Sequence, residues 1–252
     1  MGLLTDGEAP VYELVRAAGT SAFLLTADHA GRLIPRALGD LGVGAADMER
    51  HIAWDIGIAA VTRQLSAALD ATAILQAYSR LVIDCNRQPD NASAMPQVSE
   101  DTPIPGNIGL DEAARRARQR AIFDPYHDRI AQLIKQRSRT VYVAMHSFTP
   151  CFKGQGREMQ VAVLYNRNPR LSLRLAALLR AEGGLKVAEN EPYRVSDETD
   201  YGVPVHAERN GLDYLEIEIR QDLIAQAPGQ ALWAARLARL LPVALRQVEE
   251  DS

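Results

Sequence analysis

Unbroken apolar runs alternate along this chain with segments whose apolar residues recur at helical spacing. The runs at 21–27, 140–145 and 159–165 are typical of strands that are buried on both faces of a sheet. Apolar residues three and four positions apart predict amphipathic helices over 46–69 and 229–249. Strands that alternate with helices in this way indicate an α/β fold built in layers.

Weaker patterns complete the predicted order of elements. Shorter apolar runs predict four more strands, over 71–77, 80–85, 185–190 and 213–219. Helical spacing predicts three more helices, over 8–18, 110–137 and 170–182. We expect Pro125 to bend or divide the second of these helices. The stretch 86–109 shows no periodic pattern, and an irregular loop of this length in a compact domain is usually functional or disordered.

The predicted strand over 213–219 alternates polar and apolar residues. Glu216, Glu218 and Arg220 share one face, and the apolar residues between them share the other. The pattern fits an edge strand with one wet face, or a central strand whose polar face lines a cavity, because buried unpaired carboxylates are costly. The order of elements favours the cavity, and the alternation itself favours a mixed sheet.

Two histidines each follow a predicted strand. His29 comes just after the run 21–27, and His146 comes directly after 140–145. Groups just beyond the carboxyl ends of strands in an α/β fold converge on one crevice. Two neutral imidazoles and a carboxylate are a common set of ligands for catalytic zinc. Either histidine alone is more simply explained as a hydrogen-bonded loop residue, but the two together suggest a shared metal site.

Three more histidines are candidates for the site or its surroundings. His51 and Asp55 lie four residues apart on the predicted helix 46–69, so both project from one helix face. They could supply a third metal ligand or a substrate contact, or simply form an exposed hydrogen bond. His127 is expected at the surface of a charged helix. His206 is expected in a loop near the mouth of the site, as a candidate for substrate binding.

Two arginines are placed at opposite ends of the predicted strand over 80–85. Arg80 and Arg87 carry planar guanidinium groups that match carboxylates bidentately, and Asn86 stands beside the second. Either arginine could anchor an acidic substrate. On local evidence, pairing of an arginine with Asp84 is equally compatible with the sequence.

Composition narrows the class of protein further. The chain of 252 residues is 47% hydrophobic and 24% charged, which suits one α/β domain over 1–252 with an ample core. A net charge of −4 without a long basic run argues against nucleic-acid binding. No window approaches the roughly 18 apolar residues of a membrane-spanning helix. Cys85 and Cys151 are too far apart in sequence to suggest a thiolate metal site, and we expect a cytoplasmic location.

Six segments, taken in order, resemble the N-formylglutamate amidohydrolase family: DHAGRLIP (28–35), HIAWDIG (51–57), YSRLVIDCNR (78–87), DPYH (124–127), MHSFTP (145–150) and LEIEIRQDLI (215–224). The family is similar to zinc carboxypeptidases and succinylglutamate desuccinylase, which cleave an amide bond with a zinc-bound water. The resemblance implies a three-layer α/β/α sandwich with a central mixed sheet, phosphorylase/hydrolase-like or zinc-exopeptidase-like. It also implies a zinc-dependent amidohydrolase whose substrate is a small acidic N-acyl amino acid such as N-formylglutamate.

Carried over by position, the resemblance assigns roles to individual residues. It implies His29 and His146 as zinc ligands and Glu218 as the general base. It places Asn86 and Arg87 at the substrate carboxylate. Arg80 is a second candidate for that contact and could also steady the oxyanion beside the metal.

Two departures from the related patterns leave alternatives open. Carboxypeptidases have a Glu three residues after the first His, and Arg32 stands there in this chain, so we expect Asp55 as the third ligand, with Asp28 in reserve. The segment DHAG replaces the PHSG that is typical of the formylglutamate enzymes. The alternatives are an amidohydrolase or carboxypeptidase for another N-acyl or peptide substrate, and a catalytically silent relative that binds an acidic metabolite.

Overall fold

A mixed seven-stranded sheet forms the centre of the structure, a computed structural model in which residues 2–251 are described. The strands of the described chain are β1 (Tyr12–Val15), β2 (Phe23–Ala27), β3 (Thr72–Gln76), β4 (Val98–Ser99), β5 (Thr102–Pro103), β6 (Val141–Phe148), β7 (Cys151–Phe152), β8 (Gln155–Gly156), β9 (Val161–Leu164), β10 (Val187–Glu189) and β11 (Asp213–Arg220). The order in the large sheet is β1-β3-β2-β6-β11-β9-β10. The pairs β1–β3 and β9–β11 are antiparallel, and the other pairs are parallel. Strands β4–β5 and β7–β8 form two small separate hairpins.

Helices cover both faces of this sheet. The α-helices of the described chain are α1 (Ala45–Met48), α2 (Ile58–Leu69), α3 (Glu112–Arg118), α4 (Asp124–Lys135), α5 (Arg170–Ala181) and α6 (Ala227–Glu250). Helices α2, α5 and α6 pack together on one face. Helix α4 and the π-helical turn Gln119–Phe123 before it pack on the other, with irregular segments that follow β3 and β10. The predicted three-layer α/β/α sandwich with a mixed sheet is therefore confirmed.

Strand β11 shows how the residue pattern orients the sheet. Leu215, Ile217 and Ile219 are buried in the core formed with α2, α5 and α6. Glu216 and Glu218 alternate with them and therefore point to the opposite face. Because β11 pairs with β6 on one side and with β9 on the other, it is a central strand, and the edge-strand interpretation is wrong.

The helix predicted over 8–18 is wrong, because this segment contains the edge strand β1. Tyr12 lies opposite Gln76 and Val15 lies opposite Ala73 in an antiparallel ladder with β3. Backbone groups that would otherwise have to bond within a helix are satisfied by this ladder, so tertiary pairing overrides the helical spacing.

The helix predicted over 46–69 is present only in part. Residues 45–48 form the short helix α1, the chain is then irregular, and α2 begins at Ile58. Gly57 just before it has φ +83°, and a Cβ atom there would lie 2.1 Å from the carbonyl oxygen of Ile224. Only glycine permits this close approach. Gly57 also marks the end of the irregular segment that holds His51 and Asp55.

The strand predicted over 80–85 is also wrong, since side chains take the place of a neighbouring strand. Asn107 donates an amide hydrogen bond to the carbonyl of Leu81 at 2.9 Å. The guanidinium of Arg118, which is buried, donates to the carbonyl of Val82 at 2.9 Å and to Asn107 Oδ1 at 2.6 Å. The apolar run is thus buried as an irregular segment whose carbonyls are satisfied by polar side chains.

The remaining predicted elements are confirmed with small changes of boundary. The predicted helix over 110–137 is divided, but by the π-helical turn, and Pro125 stands in the first turn of α4. The irregular stretch 86–109 holds only short 3₁₀ turns and the β4–β5 hairpin. Within the described residues, no helix has the length and apolar character needed to cross a membrane.

Candidate metal and substrate site

A polar cleft with a cavity volume of about 100 Å³ opens at the carboxyl ends of β2, β6 and β11. Most of the side chains that the sequence singled out line it: His29, His51, Asp55, Arg80, Asn86, Arg87, His146, Glu216 and Glu218. The parallel pairing of these three strands brings their carboxyl ends to one edge of the sheet, where side chains from distant segments meet.

His29 and His146, 117 positions apart in the chain, face the same carboxylate oxygen. Asp55 Oδ2 lies 3.5 Å from His29 Nδ1 and 3.1 Å from His146 Nδ1. The centres of the two imidazole rings are 5.0 Å apart, and all three residues are buried. Their ligand atoms lie within 4.8 Å of one another, which makes them a group that could hold a metal ion.

Backbone contacts hold Asp55 against both histidines. The backbone N–H of Asp55 donates to the carbonyl of His29 at 2.9 Å. The backbone N–H of Ser147 donates to Asp55 Oδ2 at 3.1 Å. A Cβ atom on Gly31 would lie 2.0 Å from the carbonyl oxygen of Ala77, so only glycine lets the loop after β2 pack this closely.

Asp84 orients the ring of His29. Its Oδ1 lies 2.7 Å from His29 Nε2, which leaves His29 Nδ1 directed toward Asp55. A carboxylate that holds the far nitrogen of an imidazole fixes the ring and raises its basicity as a ligand. The sequence named Asp84 only as a possible partner for an arginine and missed this contact.

Asp28, the reserve candidate for a metal ligand, is held elsewhere. The hydroxyl of Tyr126 donates to its Oδ1 at 2.6 Å, and its Oδ2 lies 3.8 Å from His146 Nε2. Burial raises the pKa of Asp28 despite the two nearby histidines. Arg32, where carboxypeptidases carry a ligand, stacks on Trp54 at 5.0 Å from the ring centre.

The acidic surroundings decide the charge of the buried triad. Burial alone would raise the pKa of Asp55, but His29 and His146 outweigh it, so the pKa lies below the usual range. Burial alone would lower the pKa of His146, but Glu216 and Asp55 outweigh it and raise the pKa to about 10. The site therefore favours positive charge between its carboxylates.

The donor set of the triad fits zinc or a similar divalent ion. Two imidazoles and one carboxylate are the ligands found in one class of catalytic zinc sites. His29 Nδ1 is buried and has no hydrogen-bond partner in the described part of the chain, which is the expected condition of a nitrogen reserved for a ligand.

Glu218 and Glu216 stand on the wall of the cleft beside His146. In the parallel ladder of β11 and β6, Glu218 is the direct partner of His146, and Glu216 is the partner of Ala144. Burial raises the pKa of Glu218 to about 8 and that of Glu216 to about 7. The Oε2 atoms of both are buried without a hydrogen-bond partner in residues 2–251.

Arg80 is committed to the carboxylates of the site. Its Nε and NH2 lie 3.0 and 2.6 Å from Asp84 Oδ2, and its NH1 lies 3.5 Å from Asp55 Oδ1. The pairing with Asp84 that the sequence left open is therefore present, and it coexists with a place on the cleft wall.

Asn86 and Arg87 are clamped by a segment that the sequence did not single out. Arg87 NH1 donates to Asp200 Oδ1 at 3.0 Å, and Asn86 Nδ2 donates to the same atom at 3.4 Å. Asn86 Oδ1 accepts from the backbone N–H of Tyr201 and Gly202 at 3.2 and 3.0 Å. No local pattern marks Asp200, which lies in the irregular stretch after β10.

The other histidines occupy different places. His51 lines the cleft, with Nε2 at 3.3 Å from Glu100 Oε1. His206 is buried and is not among the cleft-lining residues; its Nε2 lies 2.9 Å from Nδ1 of His127. His127 is 5% exposed, so its predicted surface position is wrong, because Phe123 and Tyr201 stack against its ring.

The chain matches the model of one protein family over most of its length. Residues 21–225 match the model of the N-formylglutamate amidohydrolase family, and this range contains every cleft residue discussed above. A comparison with curated proteins finds no match.

Two solved structures share the architecture. A gene product of Agrobacterium tumefaciens is 41% identical, with 98% of this chain and 99% of that chain covered and a TM-score of 0.93. An N-formylglutamate amidohydrolase from Ralstonia eutropha JMP134 is 18% identical, with 96% and 99% covered and a TM-score of 0.67. At that identity, the second likeness shows the fold alone.

Proposed function

This chain belongs to the N-formylglutamate amidohydrolase family and is a hydrolase of amide bonds, and we propose that it depends on zinc. The proposed substrate is an acidic N-acyl amino acid, with N-formylglutamate as the first candidate. The observation that carries the proposal is the convergence of His29, Asp55 and His146 within 4.8 Å in a buried polar cleft. The family match supports the reaction class, and the donor set supports the metal.

His29, Asp55 and His146 would hold the zinc ion. A zinc ion bound by such ligands lowers the pKa of a water molecule and polarises a carbonyl oxygen. The chain supplies the orientation, because Asp84 fixes the ring of His29 and the N–H of Ser147 fixes the carboxylate of Asp55.

Glu218 is the proposed general base. It is the strand neighbour of His146, and its carboxylate faces the cleft. A carboxylate there can take a proton from the attacking water and deliver it to the leaving amine. Its pKa of about 8, raised by burial, suits a group that exchanges protons near neutral pH.

Arg87 and Asn86 are the proposed anchors of the substrate carboxylate. Arg87 uses only NH1 in its contacts with Asp200 and the Asn86 carbonyl, so one edge of its guanidinium remains for a bidentate pair. Arg80 keeps a positive charge near the reacting carbonyl while it binds Asp84 and Asp55. His51 is proposed as a further substrate contact at the rim.

Metal analysis and a substrate panel test this proposal together. Protein purified in zinc-supplemented buffer is expected to hold one zinc ion by elemental analysis. It is expected to hydrolyse N-formylglutamate faster than N-acetylglutamate or a dipeptide. Protein that stays metal-free and inactive on the whole panel would indicate a ligand-binding relative without turnover.

The cytoplasmic location stays a prediction.

A further inference from the structure

The two arginines that line the cleft leave free guanidinium nitrogens for only one substrate carboxylate. Arg80 uses all three of its nitrogens on Asp84 and Asp55. Arg87 gives NH1 to Asp200 and keeps one edge of its guanidinium. An acidic N-acyl amino acid carries two carboxylates, so its side-chain carboxylate needs another cation.

Arg157 is a cation beside the cleft that has no acidic partner. Within residues 2–251, no carboxylate lies within ion-pair distance of its guanidinium, although most arginines of the chain are paired. Its NH1 donates to the hydroxyl of Tyr193 at 3.1 Å and to the carbonyl of Thr149 at 3.4 Å. Both of these partners line the cleft.

Three aromatic rings hold this guanidinium in place. Its central carbon lies 5.0 Å from the ring centres of Phe152 and Tyr193 and 5.8 Å from that of Phe148. Arginine stacked on aromatic faces loses water and side-chain freedom before a ligand arrives, which favours binding of an anion. Phe148 and Tyr193 are themselves walls of the cleft.

The position of Arg157 is also tied to the catalytic strand. Arg220, at the end of β11, donates from NH1 to the carbonyl of Arg157 at 3.1 Å. A second cavity shares Arg87 and Tyr193 with the cleft and is also lined by Phe152. This cavity therefore connects Arg87 with one of the rings that contact Arg157.

We propose that Arg157 is a specificity-determining residue that binds the side-chain carboxylate of the substrate at the mouth of the cleft, with Tyr193 holding its guanidinium. The inference rests on the proposed function and extends it, since it selects substrates with an acidic side chain. Arg87 then binds the α-carboxylate, and Arg157 distinguishes glutamate from its neutral relatives.

The test compares N-formyl-L-glutamate with N-formyl-L-glutamine, whose side chains differ only in carboxylate or amide. Zinc-loaded wild type is expected to prefer the glutamate substrate by about 10- to 100-fold in kcat/KM, the size of one charge-assisted hydrogen-bonded contact. Arg157→Met is expected to lose this preference through KM. Its zinc content is expected to stay at the wild-type level, and its kcat/KM on the glutamine substrate is expected to fall much less than that on the glutamate substrate.

Lys153→Met is the matched control, because it removes a positive charge from the exposed turn between β7 and β8, where the ammonium lies 5.8 Å from the ring centre of Phe152. It is expected to keep the wild-type preference. An unchanged preference in Arg157→Met, an equal loss on both substrates, or a wild type without preference would each overturn the assignment. Wild type inactive on both substrates would refute the proposed function instead. Calorimetric binding of N-formylglutamate, expected to weaken in Arg157→Met, would then decide the assignment.

Discussion

Two pairs of buried histidines lie in this protein, and their surroundings are opposite. His29 and His146 have ring centres 5.0 Å apart and stand among carboxylates. His127 and His206 have ring centres 5.1 Å apart and are hydrogen-bonded to each other at 2.9 Å. The second pair is enclosed by aromatic rings, those of Phe123, Tyr126, Tyr142 and Tyr201. All four histidines are 5% exposed or less, so burial does not distinguish the pairs.

The difference shows that neighbouring charge decides what a buried histidine can do. Burial lowers the pKa of His127 well below its usual value and that of His206 to about 4. In the first pair the carboxylates outweigh burial and raise the pKa of His146 to about 10. A site that stabilises positive charge in this way suits a divalent cation, whereas the second pair suits a neutral hydrogen-bonded role.

The largest expected difference between the two pairs appears when one histidine is removed from each. If the proposed zinc site is right, His146→Ala should not hold zinc and should reduce hydrolysis by on the order of 10⁴-fold or more, because the metal would supply both water activation and carbonyl polarisation. His206→Ala should keep its zinc and instead lower the midpoint of urea unfolding. Elemental analysis and denaturation curves on both variants check this, and zinc retained by His146→Ala would contradict the assigned ligand.

The proposed base gives the next largest effect. Glu218→Gln is expected to lower kcat by about 10²- to 10⁴-fold with zinc content unchanged, because a positioned proton acceptor is lost while the ligands stay. Glu216→Gln, on the same face of the same strand, is the control and should lose much less activity. Full activity in Glu218→Gln with intact zinc would show that another group takes the proton.

The carboxylate of Asp84, which contacts His29, is a further difference between the two pairs of histidines. Asp84→Asn is expected to weaken zinc affinity by about 10- to 100-fold, since the ring of His29 loses its charged hydrogen-bond partner at 2.7 Å. A competition titration with a coloured chelator measures this directly. Zinc affinity equal to that of the wild type would mean that the contact of Asp84 with His29 does not support the metal.

The smallest expected effect is the dependence of folding stability on pH that comes from the second pair, His127 and His206. In the folded state the pKa of His206 is lowered to about 4. Between pH 6.5 and pH 4, the unfolded chain therefore carries a proton on this residue that the folded chain does not carry. The stability that this group contributes is complete above pH 6.5 and declines as the pH falls through that window. The decline from this residue amounts to about 2 kcal/mol between pH 7 and pH 5.

Urea unfolding of wild type and His206→Gln at both pH values measures that decline. His127 changes with the same sign, and the tyrosines and the Cys85 thiol around the pair stay neutral in this range. The variant should therefore show a shallower loss of stability on acidification. An identical loss in both proteins would place the acid sensitivity in other groups.

The local pattern of apolar and polar residues was sufficient to predict most strands of the sheet and the chemical nature of the site. Apolar runs predicted β2, β6 and β9, and strict alternation predicted that one face of β11 is polar. The same patterns failed for β1 and for 80–85. In the first case a ladder with β3 decided the conformation, and in the second the side chains of Asn107 and Arg118 satisfied the carbonyls.

The order of amino acids alone indicates which side chains lie near the carboxyl ends of the strands, including His29, His146 and Glu218. The partners of the cleft residues follow only from the folded chain. Asp200 meets Asn86 across 114 positions, and Tyr193 meets Arg157 across 36 positions. Periodicity reports the buried side of one element, whereas ion pairs, hydrogen bonds and aromatic contacts form between elements that only folding brings together.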